Sequence, residues 1–424
     1  MPDYQPRVVD RELDELLAGL PAISIEGPKG VGKTATAQRR AATVFAMDDP
    51  AQRQLLRADP ARLDRPPTPI LVDEWQREPD VWDRIRRSVD RDPAPARFLL
   101  TGSATPTSAP THSGAGRIVQ LRMRPMSLAE RGVAMPTVSL SDMLTGGHVD
   151  IGGSSTLTLS DYAEEIVRSG FPAIRTLPDR ARRAQLDGYL ARIVQRDFPE
   201  QGHPVRRPAT LRAWLAAYAG ATATAASYNA ILDAATPGDH DKPAKTTTIA
   251  YRDVLTQLWL LDPVPGWSTS RSAFTRLAEA PKHNLADPAL AARLLGADVP
   301  ALLTDSLRHP HARRPGPLLG GFFESLVALS VRVYAQAAEA TVHHMRTRNG
   351  DREVDLIVQR ADQRAVAFEV KLSAEVNDED VRHLRWLSGQ LGDDLLDAAV
   401  ITTGSTAYRR SDGVAVIPAS LLGP

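Results

Sequence analysis

The sequence contains no cysteine among its 424 residues. This absence excludes disulfides, thiolate zinc sites and cysteine nucleophiles. Basic and acidic residues both number 51, so the net charge gives no sign of a nucleic-acid partner and any basic surface has to be local. The N-terminus lacks an apolar export segment, and no apolar run approaches about 18 residues. We therefore expect a cytoplasmic protein that does not span a membrane.

The composition is that of an ordinary soluble protein, with 42% hydrophobic and 24% charged residues. A chain of this length should hold two or three domains.

Residues 27–34 carry the pattern G-x-x-x-x-G-K-T of a phosphate-binding loop. Glycines let the backbone approach phosphate oxygens, and the loop amides and the start of the next helix face the anion. Lys33 would contact the β- and γ-phosphates, and the Thr34 hydroxyl would contact Mg²⁺. The nucleotide-binding residues that we predict are Gly27, Pro28, Lys29, Gly30, Val31, Gly32, Lys33, Thr34 and Ala35.

The surroundings of this loop support the assignment. Residues 22–25 form an apolar run suited to a buried strand, and residues 34–45 have a helical pattern. This is the strand–loop–helix order that the motif requires, so the sequence predicts binding of ATP or GTP.

A second apolar run, residues 69–74, ends in two carboxylates and has the form of a Walker B strand. Asp73 would hold Mg²⁺ and Glu74 would polarise the attacking water. A strand that simply ends in surface acids is the alternative, which the upstream loop makes the weaker one.

Residues 97–103 form a further buried strand that ends in small polar residues. In ATPases with a strand inserted between the two Walker motifs, this strand carries a polar group that senses the γ-phosphate. Thr101 or Ser103 would serve, although a strand followed by a polar turn competes with either assignment.

The segment 105–116 is rich in Thr, Ser, Pro and Gly and is predicted to be a loop. It leads into a strand at residues 117–123. Arg117 at its start would reach a phosphate of its own or of a neighbouring subunit, and an ordinary surface arginine is the alternative.

With these residues in place, the chain resembles a family of bacterial and archaeal AAA-type ATPases that carry a further C-terminal domain. The resemblance follows the chain in order. The matching segments lie at residues 27–34, 71–76, 100–103, 116–118, 124–130, 170–172, 196–197, 280–282 with Asp287, 352–355 and 369–371. The chain departs from the family pattern at Lys29, Gly30 and Trp75, where Arg, Gln and Ile are usual, and none of these changes removes a catalytic group.

The resemblance implies a P-loop α/β ATPase with a parallel sheet, a helical winged-helix-like middle and a C-terminal α/β domain with a restriction-endonuclease-like fold. We place the ATPase at residues 1–134, a linker rich in Gly, Ser and Thr at 135–160, the helical domain at 161–310 and the nuclease-like domain at 311–424. In the middle, helices at 211–218, 225–234 and 246–261 precede an apolar strand, and the third helix carries Lys245 and Arg252. A helical packing module is the alternative of equal weight.

Two strands, residues 353–359 and 364–371, are joined by a three-residue turn. This register places Asp355 opposite Glu369, with Lys371 on the same face as Glu369. Two facing carboxylates repel unless a cation lies between them. With Glu324 from a preceding helix, these residues match the site of restriction-endonuclease-like nucleases, in which Asp355 and Glu369 would hold Mg²⁺ and Lys371 would orient the attacking water or steady the phosphate charge. A charged solvated sheet face is the alternative.

The function that we predict is Mg²⁺-dependent ATP binding and hydrolysis, with the nucleotide state controlling C-terminal domains that engage nucleic acid. The alternatives are a switch that binds protein partners and an ATP-gated DNA nuclease. A homo-oligomer is a further prediction.

Overall fold

The computed structural model describes residues 4–103, 114–147, 149–236, 243–267, 280–304, 318–347 and 350–424. Most of the loop predicted at 105–116 and the domain boundary predicted at 310/311 lie outside the described residues.

The helices of the described chain are numbered here in order. They are α1 (Val8–Gly19), α2 (Lys33–Gln38), α3 (Pro50–Ala58), α4 (Asp80–Arg91), α5 (Leu140–Thr145), α6 (Leu159–Arg168), α7 (Pro172–Arg175), α8 (Asp179–Arg192), α9 (Phe198–Glu200), α10 (Pro208–Gly220), α11 (Tyr228–Ala235), α12 (Lys245–Gln257), α13 (Pro288–Leu294), α14 (Val299–Thr304), α15 (Leu318–Ala337) and α16 (Arg382–Leu391).

The strands are numbered in the same way. They are β1 (Ala22–Glu26), β2 (Thr43–Ala46), β3 (Ile70–Asp73), β4 (Phe98–Gly102), β5 (Val119–Arg122), β6 (Val138–Ser139), β7 (Gly266–Trp267), β8 (Thr341–Arg346), β9 (Glu353–Gln359), β10 (Ala365–Val370), β11 (Leu395–Thr402), β12 (Tyr408–Arg409), β13 (Ala415–Pro418) and β14 (Leu422–Gly423).

The N-terminal sheet is parallel, with the strand order β2-β3-β4-β1-β5. Its central strands β1, β3 and β4 are continuous apolar runs, as expected for strands covered on both faces. Strand β4 lies between β1 and β3, so the predicted insertion of a strand between the two Walker strands is confirmed. All of these strands end at the same edge of the sheet.

Helix α2 is shorter than predicted. It ends at Gln38, and Thr43 begins β2, so the helix predicted over residues 34–45 is wrong in its second half. The apolar residues at 41–46 fit the helical pattern although several of them lie in β2. Periodicity alone therefore did not show where the helix ends and the strand begins.

The segment predicted as a linker is largely ordered. It contains β6 and α5, and Leu140, Met143 and Leu144 of α5 are buried. Helix α5 packs against β11, and β6 pairs in parallel with β14. Residues 135–160 therefore attach the N-terminal domain to the C-terminal sheet.

The middle of the chain is helical, as predicted, from α6 to α14. Helix α8 continues into a π-helical turn, Ile193–Asp197. Helices α10, α11 and α12 correspond to the three predicted helices. After α12, the predicted strand is replaced by isolated bridges, in which Leu261 pairs with Leu285 and Val264 with Lys282.

The C-terminal sheet has the order β12-β13-β11-β10-β9-β8-β7. Strands β9 and β10 form the predicted hairpin, and Phe368 pairs with Leu356. Its turn places Gln363 at a φ of 74°. The predicted α/β fold class is thus confirmed for the N-terminal sheet, the helical middle and the C-terminal sheet.

Helix α15 packs beneath this sheet and reaches the N-terminal domain. It is 20 residues long and apolar enough to cross a membrane by length and composition, but 78% of its apolar window is buried inside the protein. A core helix of this kind passes the same test. Its Gln336 donates hydrogen bonds to Glu12 of α1 (2.8 Å) and to the carbonyl of Arg122 (2.9 Å).

Candidate nucleotide-binding site and a buried acidic cluster

The loop that follows β1 lies against the end of β5. A Cβ atom at Gly27 would lie 2.1 Å from the carbonyl oxygen of Met123, so no side chain fits there. Gly32 precedes α2 with a φ of 109°, in the left-handed region that glycine adopts readily. Backbone geometry therefore requires glycine at both positions.

Lys33 lies inside this loop and is buried. Its ammonium group donates hydrogen bonds to the carbonyl oxygens of Gly27 (2.8 Å) and Pro28 (2.9 Å). Burial lowers the pKa of Lys33 to about 8, and the nearby charges of Glu74 and Asp73 oppose the shift. The ammonium group is thus poorly solvated and close to two acids.

Asp73 is the meeting point of three elements. The Thr34 hydroxyl on α2 donates a hydrogen bond to Oδ1 of Asp73 (2.7 Å), and the Thr101 hydroxyl on β4 donates to the same oxygen. Parallel pairing sets Asp73 directly beside Thr101. The structure thus brings the two predicted Mg²⁺-binding residues and one predicted γ-phosphate sensor together at the carboxyl edge of the sheet.

Glu74 has a φ of 55° and a ψ of 42°, a left-handed conformation that is uncommon outside glycine. The side-chain amide of Gln76 donates a hydrogen bond to its Oε2 (2.6 Å). The Ser103 hydroxyl lies 3.4 Å from the same oxygen. Gln76 and Ser103 therefore orient the Glu74 carboxylate.

These residues fit a magnesium-bound nucleoside triphosphate. The glycine-shaped loop leaves its backbone open to an anion, as required for a phosphate cradle. Thr34 and Asp73 supply the oxygen ligands that Mg²⁺ prefers, and Lys33 supplies a positive charge beside them. Ala35 is exposed in the first turn of α2, while Val31 is buried.

Lys29 connects the loop to the helical middle. Its ammonium nitrogen lies 2.6 Å from Oδ1 of Asp197 and 3.9 Å from Glu200. The hydroxyl of Tyr189 donates a hydrogen bond to the carbonyl of Lys29 (3.2 Å).

Arg7, which the sequence analysis did not select, supports the loop from the other side. Its buried guanidinium donates hydrogen bonds to the carbonyls of Val31 (2.8 Å) and Arg124 (2.7 Å) and pairs with Glu130 (3.0 Å). An arginine that precedes an amphipathic helix has no local pattern that would reveal this role.

Arg117 lies at the opposite edge of the sheet from the loop. Strand β5 runs parallel to β1 with Val119 beside Ile23, so Arg117 precedes the amino end of β5 while the loop follows the carboxyl end of β1. Its guanidinium is half-exposed and pairs with Asp90 (2.8 Å). The predicted contact with a phosphate of its own subunit is therefore wrong, and contact with a neighbouring subunit stays a prediction.

In the C-terminal sheet, the pairing of Phe368 with Leu356 makes Glu369 and Asp355 the next facing positions, as the hairpin register predicts. Oδ2 of Asp355 accepts a hydrogen bond from the amide of Val370 (2.9 Å). Oε1 of Glu369 accepts one from the ammonium group of Lys371 (2.9 Å). The carboxylates are buried, which excludes the solvated sheet face.

The Mg²⁺ role predicted for Asp355 and Glu369, with Glu324 beside them, stays a prediction. Within the described ranges, no group of three or more acidic or histidine side chains is placed to hold a metal ion. The ammonium nitrogen of Lys282 lies among the carboxylates instead. It is 2.8 Å from Glu324, 2.9 Å from Glu353 and 2.7 Å from Asp355.

The two central carboxyls have different proton affinities. Burial raises the pKa of Glu369 to about 8, the charge of Asp355 adds to the shift, and Lys371 opposes it. Burial would also raise the pKa of Asp355, but the ammonium of Lys282 holds that pKa below its ordinary value.

The sequence marks Lys282 and Gln76 only as members of segments that resemble the family. A weak signal for Lys282 was present, because two facing buried carboxylates require a cation and the loop before Asp287 contains one.

A separate cavity of about 200 Å³ opens beside α12. Its lining contains two basic side chains and no carboxylate: Trp214, Tyr228, Asn229, Lys245, Thr248, Ile249 and Arg252. The Arg252 guanidinium stacks over the Tyr228 ring at 4.4 Å. The indole nitrogen of Trp214 is buried and has no hydrogen-bond partner among the described residues.

Comparison with known families divides the chain into three parts. Residues 20–131 match the model of an AAA domain, residues 159–301 match a domain of unknown function (DUF8612), and residues 319–422 match another (DUF4143). The N-terminal part of the chain is therefore similar to AAA-type P-loop domains, and its C-terminal part is similar to DUF4143 domains. The restriction-endonuclease-like fold of the latter stays a prediction.

Two curated relatives are similar to nearly the whole chain. They are the uncharacterized proteins Rv2008c of Mycobacterium tuberculosis and Mb2031c of Mycobacterium bovis. Each is 28% identical over 414 residues, which cover 94% of this chain and 80% of the relative.

Solved structures show a more distant likeness. The Walker-type ATPase PABY2304 of Pyrococcus abyssi is 13% identical with a TM-score of 0.38, and the match covers 69% of this chain and 99% of that protein. The ORC2 protein of Aeropyrum pernix, in ADPNP and ADP complexes, is 15% identical with a TM-score of 0.27, and the match covers 73% of this chain and 96% of that protein.

Proposed function

We propose that this protein is a Mg²⁺-dependent ATPase. The observation that carries the proposal is the hydrogen bond of 2.7 Å between the Thr34 hydroxyl and Asp73, which joins the end of the phosphate-binding loop to the acidic end of β3. A hydroxyl and a carboxylate in contact beside a buried lysine are the protein's share of a magnesium–triphosphate site.

Each residue has one task in this proposal. Lys33 binds the β- and γ-phosphates, and Thr34 and Asp73 hold Mg²⁺, which neutralises developing charge on the phosphate oxygens when bound. Glu74 polarises the attacking water, and Gln76 holds the Glu74 carboxylate in orientation. Thr101, through its bond to Asp73, and Ser103, beside Glu74, sense the γ-phosphate.

Calorimetry with MgATP and a phosphate-release assay test this proposal. Lys33→Ala should lose ATP binding. Glu74→Gln should bind ATP as the wild type does while hydrolysis falls by roughly 10²–10⁴-fold. Asp80→Asn, which changes an exposed carboxylate at the start of α4, is the matched control and should retain activity. Absence of ATP binding by the wild-type protein with Mg²⁺ would overturn the proposal.

A second function, contact with nucleic acid through α12, is favoured by the cavity beside that helix. Lys245 and Arg252 lie seven residues apart on one helical face, and neither forms an ion pair with another described residue. With the Trp214 indole, they offer hydrogen-bond donors to an acceptor-rich ligand such as a phosphodiester backbone. The Lys29–Asp197 contact offers a route by which nucleotide state reaches this domain.

Fluorescence anisotropy of labelled DNA at increasing salt tests this second function. Lys245→Ala and Arg252→Ala should each weaken binding and reduce the salt slope by about one. Arg183→Ala, in the exposed face of α8, is the control and should leave binding unchanged. ATP hydrolysis without any DNA binding at low salt would instead favour the switch that binds protein partners.

Assembly into a homo-oligomer is a separate part of the proposal, in which Arg117 reaches the nucleotide of a neighbouring subunit. Native mass measurements with and without MgATP test it. Arg117→Ala should lower hydrolysis only if the mass corresponds to an oligomer.

A further inference from the structure

Lys282 is buried at the junction of the helical middle and the C-terminal sheet, with 1% of its surface exposed. An ammonium group has three hydrogen-bond donors. The carboxylates of Glu324 (2.8 Å) and Asp355 (2.7 Å) each accept a hydrogen bond from its nitrogen, and the Glu353 carboxylate forms an ion pair with it at 2.9 Å. A buried charge of this kind is stable only with such complete pairing.

The three carboxylates come from two elements: Glu324 from α15 and the other two from β9. Their oxygens converge on one point, and carboxylates this close repel one another unless a positive charge lies between them. Here a side chain of the protein provides the positive charge at that point. The distances are those of charge-assisted hydrogen bonds.

The surrounding contacts leave this lysine little freedom. The amide of Lys282 donates to the carbonyl of Val264, and the amide of Val264 donates back to Lys282, both at 2.9 Å. Two residues earlier, the carbonyl of Ala280 contacts Nε2 of His344 at 3.0 Å. Backbone and side chain are therefore both fixed in the position that brings the ammonium to the acids.

We infer that the Lys282 ammonium permanently takes the place of a divalent metal in this carboxylate cluster, so that the C-terminal domain does not cut nucleic acid by a metal-dependent mechanism. The cluster instead locks residues 280–287 onto the C-terminal sheet. An alkyl ammonium cannot act as a Lewis acid or lower the pKa of a bound water as a metal does.

The segment 280–287 also contacts residues that lie near the phosphate-binding loop. At the end of the same segment, Asp287 accepts hydrogen bonds from the Ser169 hydroxyl (2.6 Å) and the amide of Gly170 (2.8 Å). The next residue, Phe171, lies within 4.0 Å of a Cβ atom built at Gly30 in the phosphate-binding loop. Residues 280–287 thus link the acidic cluster to the surroundings of the nucleotide site.

Binding of Mn²⁺ to the full-length chain without nucleotide tests this inference. The measurements use an Asp73→Asn background, which removes the carboxylate proposed to hold Mg²⁺ in the N-terminal site. With Lys282 present, titration calorimetry should detect no Mn²⁺ at the cluster. Lys282→Ala should create one Mn²⁺ site, with affinity at least about tenfold above the background and a thermal midpoint raised by several degrees in Mn²⁺.

Lys371→Ala is the matched control, because it removes a neighbouring lysine that contacts Glu369 alone among the carboxylates of this cluster. It should create no Mn²⁺ site. Adding Asp355→Asn to Lys282→Ala should abolish the new site. If Lys282→Ala does not fold, Lys282→Met keeps the volume of the side chain without its charge, and recovery of folding by Mn²⁺ supports the inference.

Three results would overturn the inference. The first is one equivalent of Mn²⁺ bound by the protein that retains Lys282 and lost in Asp355→Asn. The second is Mg²⁺-dependent cleavage of labelled DNA that Asp355→Asn abolishes. The third is a folded Lys282→Ala or Lys282→Met protein that gains no affinity for Mn²⁺.

Discussion

The ammonium nitrogen of Lys29 lies 2.6 Å from Oδ1 of Asp197, which joins the phosphate-binding loop to the π-helical turn at the end of α8. The Asp197 side chain is buried, while a third of the Lys29 side chain is exposed. Single π-helical turns inside helices occur frequently at functional sites. A bound triphosphate would compete with Asp197 for the lysine. We therefore expect nucleotide binding to affect this ion pair more directly than other contacts between the two domains.

Removal of the Asp197 charge should strengthen ATP binding. In Asp197→Asn, Lys29 loses its close anionic partner and becomes available to phosphate, so we expect MgATP affinity to rise roughly three- to tenfold. Calorimetry measures this change. Glu200→Gln is the control, because Glu200 lies 3.9 Å from Lys29 and is half-exposed, so its effect should stay below about twofold. A weaker affinity in Asp197→Asn would mean that Asp197 shapes the loop for binding.

Replacement of Lys33 should separate binding from stability. The folded pKa of about 8 lies below the ordinary value of 10.5, so the buried ammonium destabilises the fold below pH 8 and this cost disappears toward pH 10.5. Lys33→Met should abolish ATP binding while raising the free energy of unfolding at pH 7 by up to about 3 kcal/mol. Denaturant unfolding at pH 7 and 9.5 should show a smaller gain at the higher pH. A variant less stable at pH 7 would show that the two carbonyl hydrogen bonds outweigh burial.

Asp262 should be among the costliest carboxylates to neutralise. It is buried and pairs with Arg122 (3.0 Å), Arg124 (2.9 Å) and Arg332 (2.9 Å). Burial would raise the pKa of Asp262, but the three guanidinium groups hold it below its ordinary value. The stability that the ionised Asp262 carboxylate contributes is therefore present above about pH 4 and is lost as the pH falls further.

Asp262→Asn should lower the free energy of unfolding by about 3–5 kcal/mol, because it leaves three partly buried arginines without their anion. Chemical denaturation at pH 7 gives the value. Asp64→Asn, which removes a partly exposed partner of Arg84, is the control and should cost about 1 kcal/mol or less. If Asp262→Asn and Asp64→Asn lower the free energy of unfolding equally, Asp262 is not the more costly carboxylate to neutralise.

Glu369 should limit stability at alkaline pH. Its folded pKa of about 8 lies above the ordinary 4.5, so the stability contributed by the protonated carboxyl is complete below pH 4.5 and lost as the pH rises through 8. Asp355, Lys371 and Lys282 are the charged groups that act on it. Glu369→Gln, which stays neutral, should match the wild-type thermal midpoint at pH 5 and exceed it at pH 9. The exposed Glu375→Gln control should show no such divergence.

Local patterns were sufficient to place most residues of the candidate nucleotide-binding site. The glycine spacing of the loop, the acidic end of β3 and the polar end of β4 are each contained in a few residues, and parallel pairing brings those strand ends together. The hairpin register was predictable for the same reason, since a three-residue turn and an alternating pattern placed Asp355 opposite Glu369.

Contacts between distant segments were not predictable. Lys282 is 42 residues from Glu324 and 73 from Asp355 along the chain. Arg7 is 123 residues from Glu130. Neither lysine nor arginine shows by its neighbours whether it will be buried, because the partners that make burial tolerable lie on other elements. For this reason the sequence predicted a metal as the cation between the carboxylates, while the ammonium of Lys282 came from a segment that no local pattern connects to them.

The parallel pairing of Leu422–Gly423 with Val138–Ser139 affects the order of events during synthesis. The five strands of the ATPase sheet all precede residue 123 and can pair while the ribosome is still translating the remainder. The stretch that follows them cannot, because its partners lie far downstream: Ser154 bridges to Thr406, and β6 pairs with β14. A nascent chain stalled at about residue 400 would thus display a finished ATPase domain and an unpaired tether behind it.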